Sequence, residues 1–418
     1  MRGTLLTLLL AAGVLPAAAR PAPAAPTVRI ATFNCSLNRP AEGGLRASLA
    51  TPDDVQARAV AEIIQRVHPD ILLLQEFDYD AAGESAREFL TNYLARQQHD
   101  GTAPLSYPYW YSAPSNTGVP SGFDLDRDGH IGGGEDALGF GEFTGQYGMV
   151  VFSRYRIDAA AARTFRKFLW RDMPGALLPD DAATPAPQDW YSPAALTVLP
   201  LSSKSHWDLP VRVGHTTLHL LVSHPTPPAF DGPEDRNGRR NHDEIRFWSD
   251  YLDGAKYIRD DNGHAGGFSG KAFLIMGDQN SDPVDGASLH GGINLLLRHR
   301  RVDASFVPQS AGAVEAGAVQ GGANAQHQGD SRFDTADFND RGAGNLRVDY
   351  LLPSKGLKVC GGGVFWPAQS DPAARLVWGD RPPPSSDHRL VWIDLSADGA
   401  RCPPGNDPTA NGPSRPGR

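Results

Sequence analysis

Four apolar residues in a row, Phe273-Leu274-Ile275-Met276, run directly into Gly277-Asp278-Gln279-Asn280. So short and uniform an apolar run predicts a strand buried on both faces, and the glycine frees the backbone to turn at its end. The pattern recurs along the chain. Residues 28–33 alternate and stop at Asn34, 71–74 are apolar and stop at Gln75-Glu76, and 217–222 stop at Ser223-His224-Pro225. Residues 147–153, 209–213, 346–352 and 390–395 predict further strands, with 209–213 and 217–222 paired as a hairpin. Between the first two strands, helical periodicity puts Val55, Ala59, Ile63 and Val67 on one face. Thr51 as N-cap, Pro52 at the first position, and Asp53 and Asp54 in the first turn set its start. A right-handed crossover between those parallel strands brings Asn34 and Glu76 to one sheet edge. Helices are also expected over 86–95 and 241–258, the latter with Asp243 and Glu244 in its first turn and a stripe of Ile245, Trp248, Leu252 and Ala255. Residues 101–145, 163–207 and 303–345 read as loop-rich inserts.

Composition changes this picture little. The chain has 418 residues, 40% of them hydrophobic, enough for a large core, and its 45 Gly and 35 Pro agree with long loops on that core. A net charge of −9 argues against broad attraction to nucleic acid, although a bound metal can supply local positive charge. The N-terminus carries Arg2, an apolar stretch over 5–15 and Ala17-Ala18-Ala19, which predicts a signal peptide over 1–19 and an exported protein. That apolar run is too short to cross a bilayer, and no later segment is long enough. A Pro/Ala-rich spacer follows over 20–27, then one domain over 28–396 and a disordered Pro/Gly-rich tail over 403–418. Of the three cysteines, Cys35 reads as a buried thiol, while Cys360 and Cys402 could pair in an oxidising compartment.

The chemistry lies at the strand ends. Asn34, Glu76, His224, Asp278 and Asn280 each follow a core strand, and Asp387 and His388 precede one that reaches the same edge if it runs antiparallel. Asp349 sits among apolar strand residues, where an ionised group needs a partner. Each alone has an ordinary explanation as a turn, an ion pair or a cap; together they predict a site. The pieces Thr32-Phe33-Asn34, Gln75-Glu76, Ser223-His224-Pro225, Gly277-Asp278-Gln279-Asn280, Val348-Asp349-Tyr350 and Ser386-Asp387-His388 resemble, in order, the motifs of the endonuclease/exonuclease/phosphatase superfamily, the fold of pancreatic deoxyribonuclease.

The resemblance implies an α+β fold, a four-layer α/β/β/α sandwich with two mixed sheets packed face to face and helices outside. It also implies metal-dependent attack of water on a phosphate ester. Glu76 would be the main ligand of Mg²⁺ (or Mn²⁺), with Asn34 and Asp387 close to the ion. Asp278, steadied by Asn280, would orient or deprotonate the water. His388, paired with Asp349, would act as base or as partner to a phosphoryl oxygen, and His224 would contact the phosphate or assist the leaving oxygen. The sequence leaves open which of Asp278 and His388 takes the proton. Arg239, Arg240 and Asn241, at a predicted helix start, are candidates for binding an anionic substrate or else a solvated basic turn.

A second metal signal lies in the first insert. Asp124-Leu125-Asp126-Arg127-Asp128-Gly129-His130-Ile131, continuing to Glu135, matches the D-x-D-x-D-G-x₅-E calcium loop. Pro120 and Gly122 before it and Gly139 and Gly141 after it leave no room for the flanking helices of an EF-hand. Asp330, Asp334, Asp337 and Asp340 read as a solvated acidic loop. Trp170, Trp190, Tyr191 and Trp207 either stack on bases or fill a satellite core. The expected protein is an exported, monomeric hydrolase of phosphate esters, a phosphodiesterase or nuclease. The alternatives are a phosphomonoesterase or phospholipid-headgroup hydrolase of the same fold, and a non-catalytic Ca²⁺-dependent binding module. No Gly-x-Ser-x-Gly elbow supplies a nucleophilic serine.

Overall fold

The computed structural model describes residues 27–379, 383–396 and 402, apart from the side chain of His290. The expected signal peptide, the spacer up to residue 26 and the tail lie outside the described residues. In chain order the elements are β1 (Thr27–Asn34), α1 (Gly44–Leu49), α2 (Val55–Val67), β2 (Ile71–Gln75), α3 (Glu84–Glu88) and β3 (Tyr109–Tyr111). They continue with β4 (Met149–Ser153), β5 (Arg163–Thr164), β6 (His206–Val213), β7 (Thr216–Ser223), α4 (Arg236–Leu252), β8 (Ala272–Asp278) and α5 (Asn294–Leu297). Last come α6 (Ala311–Val319), β9 (Ala336–Asp337), β10 (Asn345–Leu346), β11 (Asp349–Pro353), β12 (Val359–Val364) and β13 (Val391–Ser396).

One sheet has six strands in the order β12-β13-β1-β2-β4-β3, and the other has five, β11-β8-β7-β6-β5. Both are mixed: β1 is parallel to β2 and antiparallel to β13, and β7 is parallel to β8, which is antiparallel to β11. The sheets pack face to face through β1 against β8 and β11. The alternation within β8 shows why it is apolar throughout. Leu274 and Met276 enter the core between the sheets, while Phe273 and Ile275 enter a second core under α4, with Trp248 and Tyr251. Each such buried side chain contributes roughly 1.5–3 kcal/mol. With α2 outside the first sheet and α4 outside the second, the fold is the expected α/β/β/α sandwich.

Several boundaries differ from expectation. The N-cap of α2 is Asp54, not Thr51: its carboxylate accepts from Ala57 N–H at 2.8 Å, so Thr51 and Pro52 form a turn before the helix. Helix α4 starts at Arg236, which places Asp243 and Glu244 in its interior. Both are fully buried there as acceptors, Asp243 from Trp170 Nε1 (2.8 Å) and Glu244 from Ser203 N–H (2.7 Å) and Thr226 N–H (2.6 Å). Residues 303–345 contain α6, and the strand expected over 346–352 begins at Asp349. Phe165, Trp170, Met173, Tyr191 and Leu199 of residues 163–207 fill the second core with Leu125, while Trp207 enters the core between the sheets, so these aromatic residues serve packing. Asp334 and Asp337 are buried rather than solvated, and Asp337 accepts from the Arg389 guanidinium at 3.0 Å. Cys360 and Cys402 form a disulfide, and Cys35 is a buried free thiol.

Candidate active site

Strand direction gathers the polar strand ends at one edge. Asn34, Glu76, His224 and Asp278 stand at the carboxyl ends of β1, β2, β7 and β8; β11 and β13 run the other way and present their amino ends there. Asp349 lies directly across the ladder from Asp278. Asp387 and His388 are held by the end of the insert expected to be loop: Asp337 N–H donates to Asp387 O at 2.8 Å and Arg389 N–H donates to Thr335 O at 2.7 Å. Ser386 Oγ ties this loop to β1 by donating to Asn34 O at 2.8 Å.

The side chains converge on Asp278. Its Oδ2 accepts from Asn34 Nδ2 at 3.1 Å and lies 3.4 Å from His224 Nε2 and 3.6 Å from His388 Nε2. Its Oδ1 accepts from the Asn280 N–H at 2.8 Å, while Asn280 Nδ2 donates to Pro225 O at 3.0 Å and ties the two strand ends together. His388 Nδ1 is 3.0 Å from Asp349 Oδ2, which also accepts from Thr335 Oγ1 at 2.8 Å. Burial works to lower the His388 pKa, but Asp349 and Asp278 outweigh it and raise it well above the usual imidazole range. Burial likewise opposes the ionised form of Asp278, yet the His388 cation and the bonds from His224 and Asn34 hold its carboxyl below the usual range. Asp349 is pushed up to about 6 by burial, against the pull of His388. His224 is pushed down to about 4 by burial and by Lys204. At neutral pH the site therefore holds an ionised Asp278, a charged His388 and a neutral His224.

Glu76 and Asp387 form a different environment. Glu76 Oε1 accepts from Asn34 Nδ2 at 2.9 Å, and Asp387 Oδ1 accepts from Ser36 Oγ at 3.2 Å. Burial raises the Glu76 pKa and Asp387 raises it further, so two hard-oxygen carboxylates face one another with too little positive charge between them. That donor set fits a divalent cation. Asp278, Asp349 and His388 also offer ligand atoms within 4.8 Å of one another. His388 already hydrogen-bonds within that trio, and Asn34 turns its Nδ2 toward Glu76 and Asp278 while its Oδ1 accepts from the Ser36 N–H at 3.3 Å, so Glu76 and Asp387 are the oxygen donors left to face a cation. Backbone strain marks the same edge: Ser36, Glu76, Tyr147 and Asn280 hold φ of 47°, 54°, 55° and 50°.

The edge forms the floor of a cavity of about 550 Å³ that Glu76, Lys204, His224, Asp278, Asp387 and His388 all line. Lys204 was not foreseen. It is buried, and burial lowers its pKa against the raising fields of Glu244, Glu76 and Asp278. Its signal lay in the register, because His206 at the start of β6 pairs with Ser223 and puts Lys204 at the same edge as His224. The apolar pattern predicts that strand only from Leu209, three residues after its observed start.

The basic turn departs from its expected role. Asn241 is buried and donates to Thr226 O (2.8 Å) and Gln279 O (3.0 Å), and Arg239 donates to Glu234 O at 3.1 Å. Arg240 lines the cavity, but its guanidinium donates to Leu201 O, Leu138 O and Pro200 O. These residues fasten loops, because a helix that starts at Arg236 turns Arg240 and Asn241 inward. In the calcium-type loop, Asp124, Asp126 and Asp128 do converge within 4.8 Å. Glu135 does not close the group: it reaches Arg236 Nη2 at 3.2 Å instead, and the side chain of His130 is exposed.

A carboxylate set between two imidazoles, beside two further carboxylates that could face a hard cation, suits hydrolysis. The chain belongs to the endonuclease/exonuclease/phosphatase family, whose model matches residues 31–388. Its members are phosphoester hydrolases that typically use a divalent metal, and this protein is an enzyme of that class. Among solved structures it is similar to an endonuclease/exonuclease/phosphatase from Beutenbergia cavernae DSM 12333, with 17% identity, 89% of this chain and 72% of that one covered, and a TM-score of 0.46. It is similar to sphingomyelinase C from Streptomyces griseocarneus, with 16% identity, coverages of 88% and 99%, and a TM-score of 0.42. A truncated TDP2 from Caenorhabditis elegans shares 15% identity, with coverages of 88% and 97% and a TM-score of 0.40. No curated protein matches the chain.

Proposed function

We propose that this protein is an exported phosphodiesterase or nuclease that activates water with Asp278. The observation that carries this reading is the Asp278 carboxylate, kept ionised between His224, His388 and Asn34 at the floor of a cavity. Glu76 and Asp387, with Asn34 close by and donating to Glu76, would hold Mg²⁺ or Mn²⁺, which would offset the charge that develops on the phosphate oxygens. Asp278, steadied by the Asn280 N–H, takes the proton of the attacking water as its oxygen bonds to phosphorus. His388, already charged through Asp349, donates a hydrogen bond to a non-bridging oxygen. The Lys204 ammonium supplies further positive charge at the floor. The bond to the leaving oxygen then breaks, His224 hydrogen-bonds and orients that oxygen, which leaves as the oxyanion and takes up a proton from solvent, and Asp278 returns its proton to solvent. Asp124, Asp126 and Asp128 would hold a structural Ca²⁺. The signal-like residues 1–19 support export, and the protein acts as a monomer.

The test is hydrolysis of bis-p-nitrophenyl phosphate by the full chain in Mg²⁺ or Mn²⁺, with EDTA as control. Turnover should vanish in EDTA, and Asp278→Ala and His388→Ala should each lower kcat by about 10²–10⁴-fold. Metal-independent turnover, or full activity in Asp278→Ala, would sink the mechanism.

A further inference from the structure

The catalytic edge lies at the bottom of a walled pocket, and all three inserts build the walls. Phe140 comes from the first, Tyr191 and Leu199 from the second and Phe338 from the third; Tyr147 and Phe230 line it as well. These pieces are fastened to one another. Arg240 Nη2 donates to Leu138 O (2.6 Å) in the first insert and to Pro200 O (2.9 Å) in the second. Trp190 Nε1 donates to Leu125 O at 3.1 Å, and the Arg127 guanidinium lies 4.4 Å over the Trp190 ring. Gly139 approaches the Ser203 carbonyl so closely that no Cβ fits between them. The Phe338 ring meets His388 edge-on at 5.3 Å, which brings the apolar wall down to the reacting groups.

At the mouth the rings turn outward. Phe230 is 81% exposed and Phe140 48% exposed, although both line the cavity. Phe230 also holds its backbone at φ 66°, a strained conformation for a bulky residue. An exposed apolar rim on a preformed cavity gains most when a ligand covers it. The charge pattern points the same way. A duplex needs a row of Lys and Arg along its phosphates, whereas this chain carries a net charge of −9. Arg236 is paired with Glu234 and Glu135, and Arg240 is occupied by backbone carbonyls.

Building on the hydrolase reading above, we propose that the inserts make the site selective for one compact phosphodiester bearing an aromatic or similarly flat apolar ester group, and that they exclude duplex nucleic acid. The reacting phosphate sits on the polar floor, and the organic group packs between the Phe140 and Phe230 rings.

The experiment compares the full chain on methyl p-nitrophenyl phosphate and phenyl p-nitrophenyl phosphate, which share a leaving group, alongside nicking of supercoiled plasmid. The phenyl ester should be favoured by about tenfold in kcat/KM, and the plasmid should stay intact. A Phe140→Ala/Phe230→Ala double variant should keep its melting temperature but lose that preference, chiefly through a higher KM for the phenyl ester. Equal turnover of the two esters, an unchanged ratio in the variant, or efficient plasmid nicking would each overturn the proposal. If the wild type hydrolysed no ester with any divalent ion, the hydrolase reading itself would fall, a result distinct from turnover without selectivity.

Discussion

Lys204 shows how much one residue can add to a site of this kind. Its ammonium is buried at the cavity floor near Glu76 and Asp278, where its charge is little screened by solvent. Lys204→Met should lower kcat/KM by about 10²-fold, the usual cost of removing one fixed transition-state donor, and Lys204→Arg should lose less. The pH dependence separates this role from a structural one. Burial lowers the Lys204 pKa, so activity that depends on the ammonium is present below that value and is lost as pH rises through it. In Lys204→Arg the part of the alkaline fall that Lys204 contributes should disappear, because guanidinium stays charged, leaving only the loss set by deprotonation of His388; an unchanged profile would make Lys204 a packing residue. At this scale the sequence was readable wherever a polar group closes a continuous apolar run, as at Asn34, Glu76, His224 and Asp278. It misled where a helix start was misplaced, because Arg239, Arg240 and Asn241 change direction when the helix begins at Arg236. A shift of a few residues on a helical period turns a solvent-facing group inward.

At the scale of elements, strong periodicity made α2, β2 and β8 legible, while two glycine-rich elements were missed. Helix α6, AGAVEAGAV, has no amphipathic stripe to announce it and is fixed by Ser310, whose side chain accepts from Ala313 N–H at 3.2 Å. Strand β12, VCGGGV, lacks side chains to alternate. It is an edge strand stapled by the Cys360–Cys402 disulfide, which links residues 42 apart in sequence. Cys402→Ser should destabilise the protein by about 2–4 kcal/mol, read as a lower denaturant midpoint. Reductant should move the wild type to the same midpoint and leave the variant where it is; a wild-type midpoint indifferent to reductant would refute this.

At the scale of the whole molecule, the sandwich was implied by family motifs, whereas the joining of the inserts into one wall was not. That wall depends on contacts between segments far apart in sequence, such as Arg127 with Trp190 and Arg240 with Leu138, which no local pattern encodes. The calcium-type loop belongs to this wall, since Leu125 within it lines the cavity and fills the second core. Saturating Ca²⁺ should therefore raise the melting temperature by about 2–4 °C, equivalent to about 1 kcal/mol in a large domain. Asp126→Ala should abolish that rise while leaving the disulfide intact. A rise that survives the substitution would place the Ca²⁺ effect elsewhere.

The pairing of β1 with β13 carries a consequence for the life of the chain. Asn34 comes from the first strand, whereas Asp387 and His388 sit just before the last, so the two ends of the domain must meet before the site exists. A chain still emerging from the ribosome, or one cut short before residue 387, holds Glu76 and Asp278 but lacks Asp387 and His388. Under the proposed mechanism such a chain should be inactive, so hydrolysis is expected only once both ends of the domain have been made.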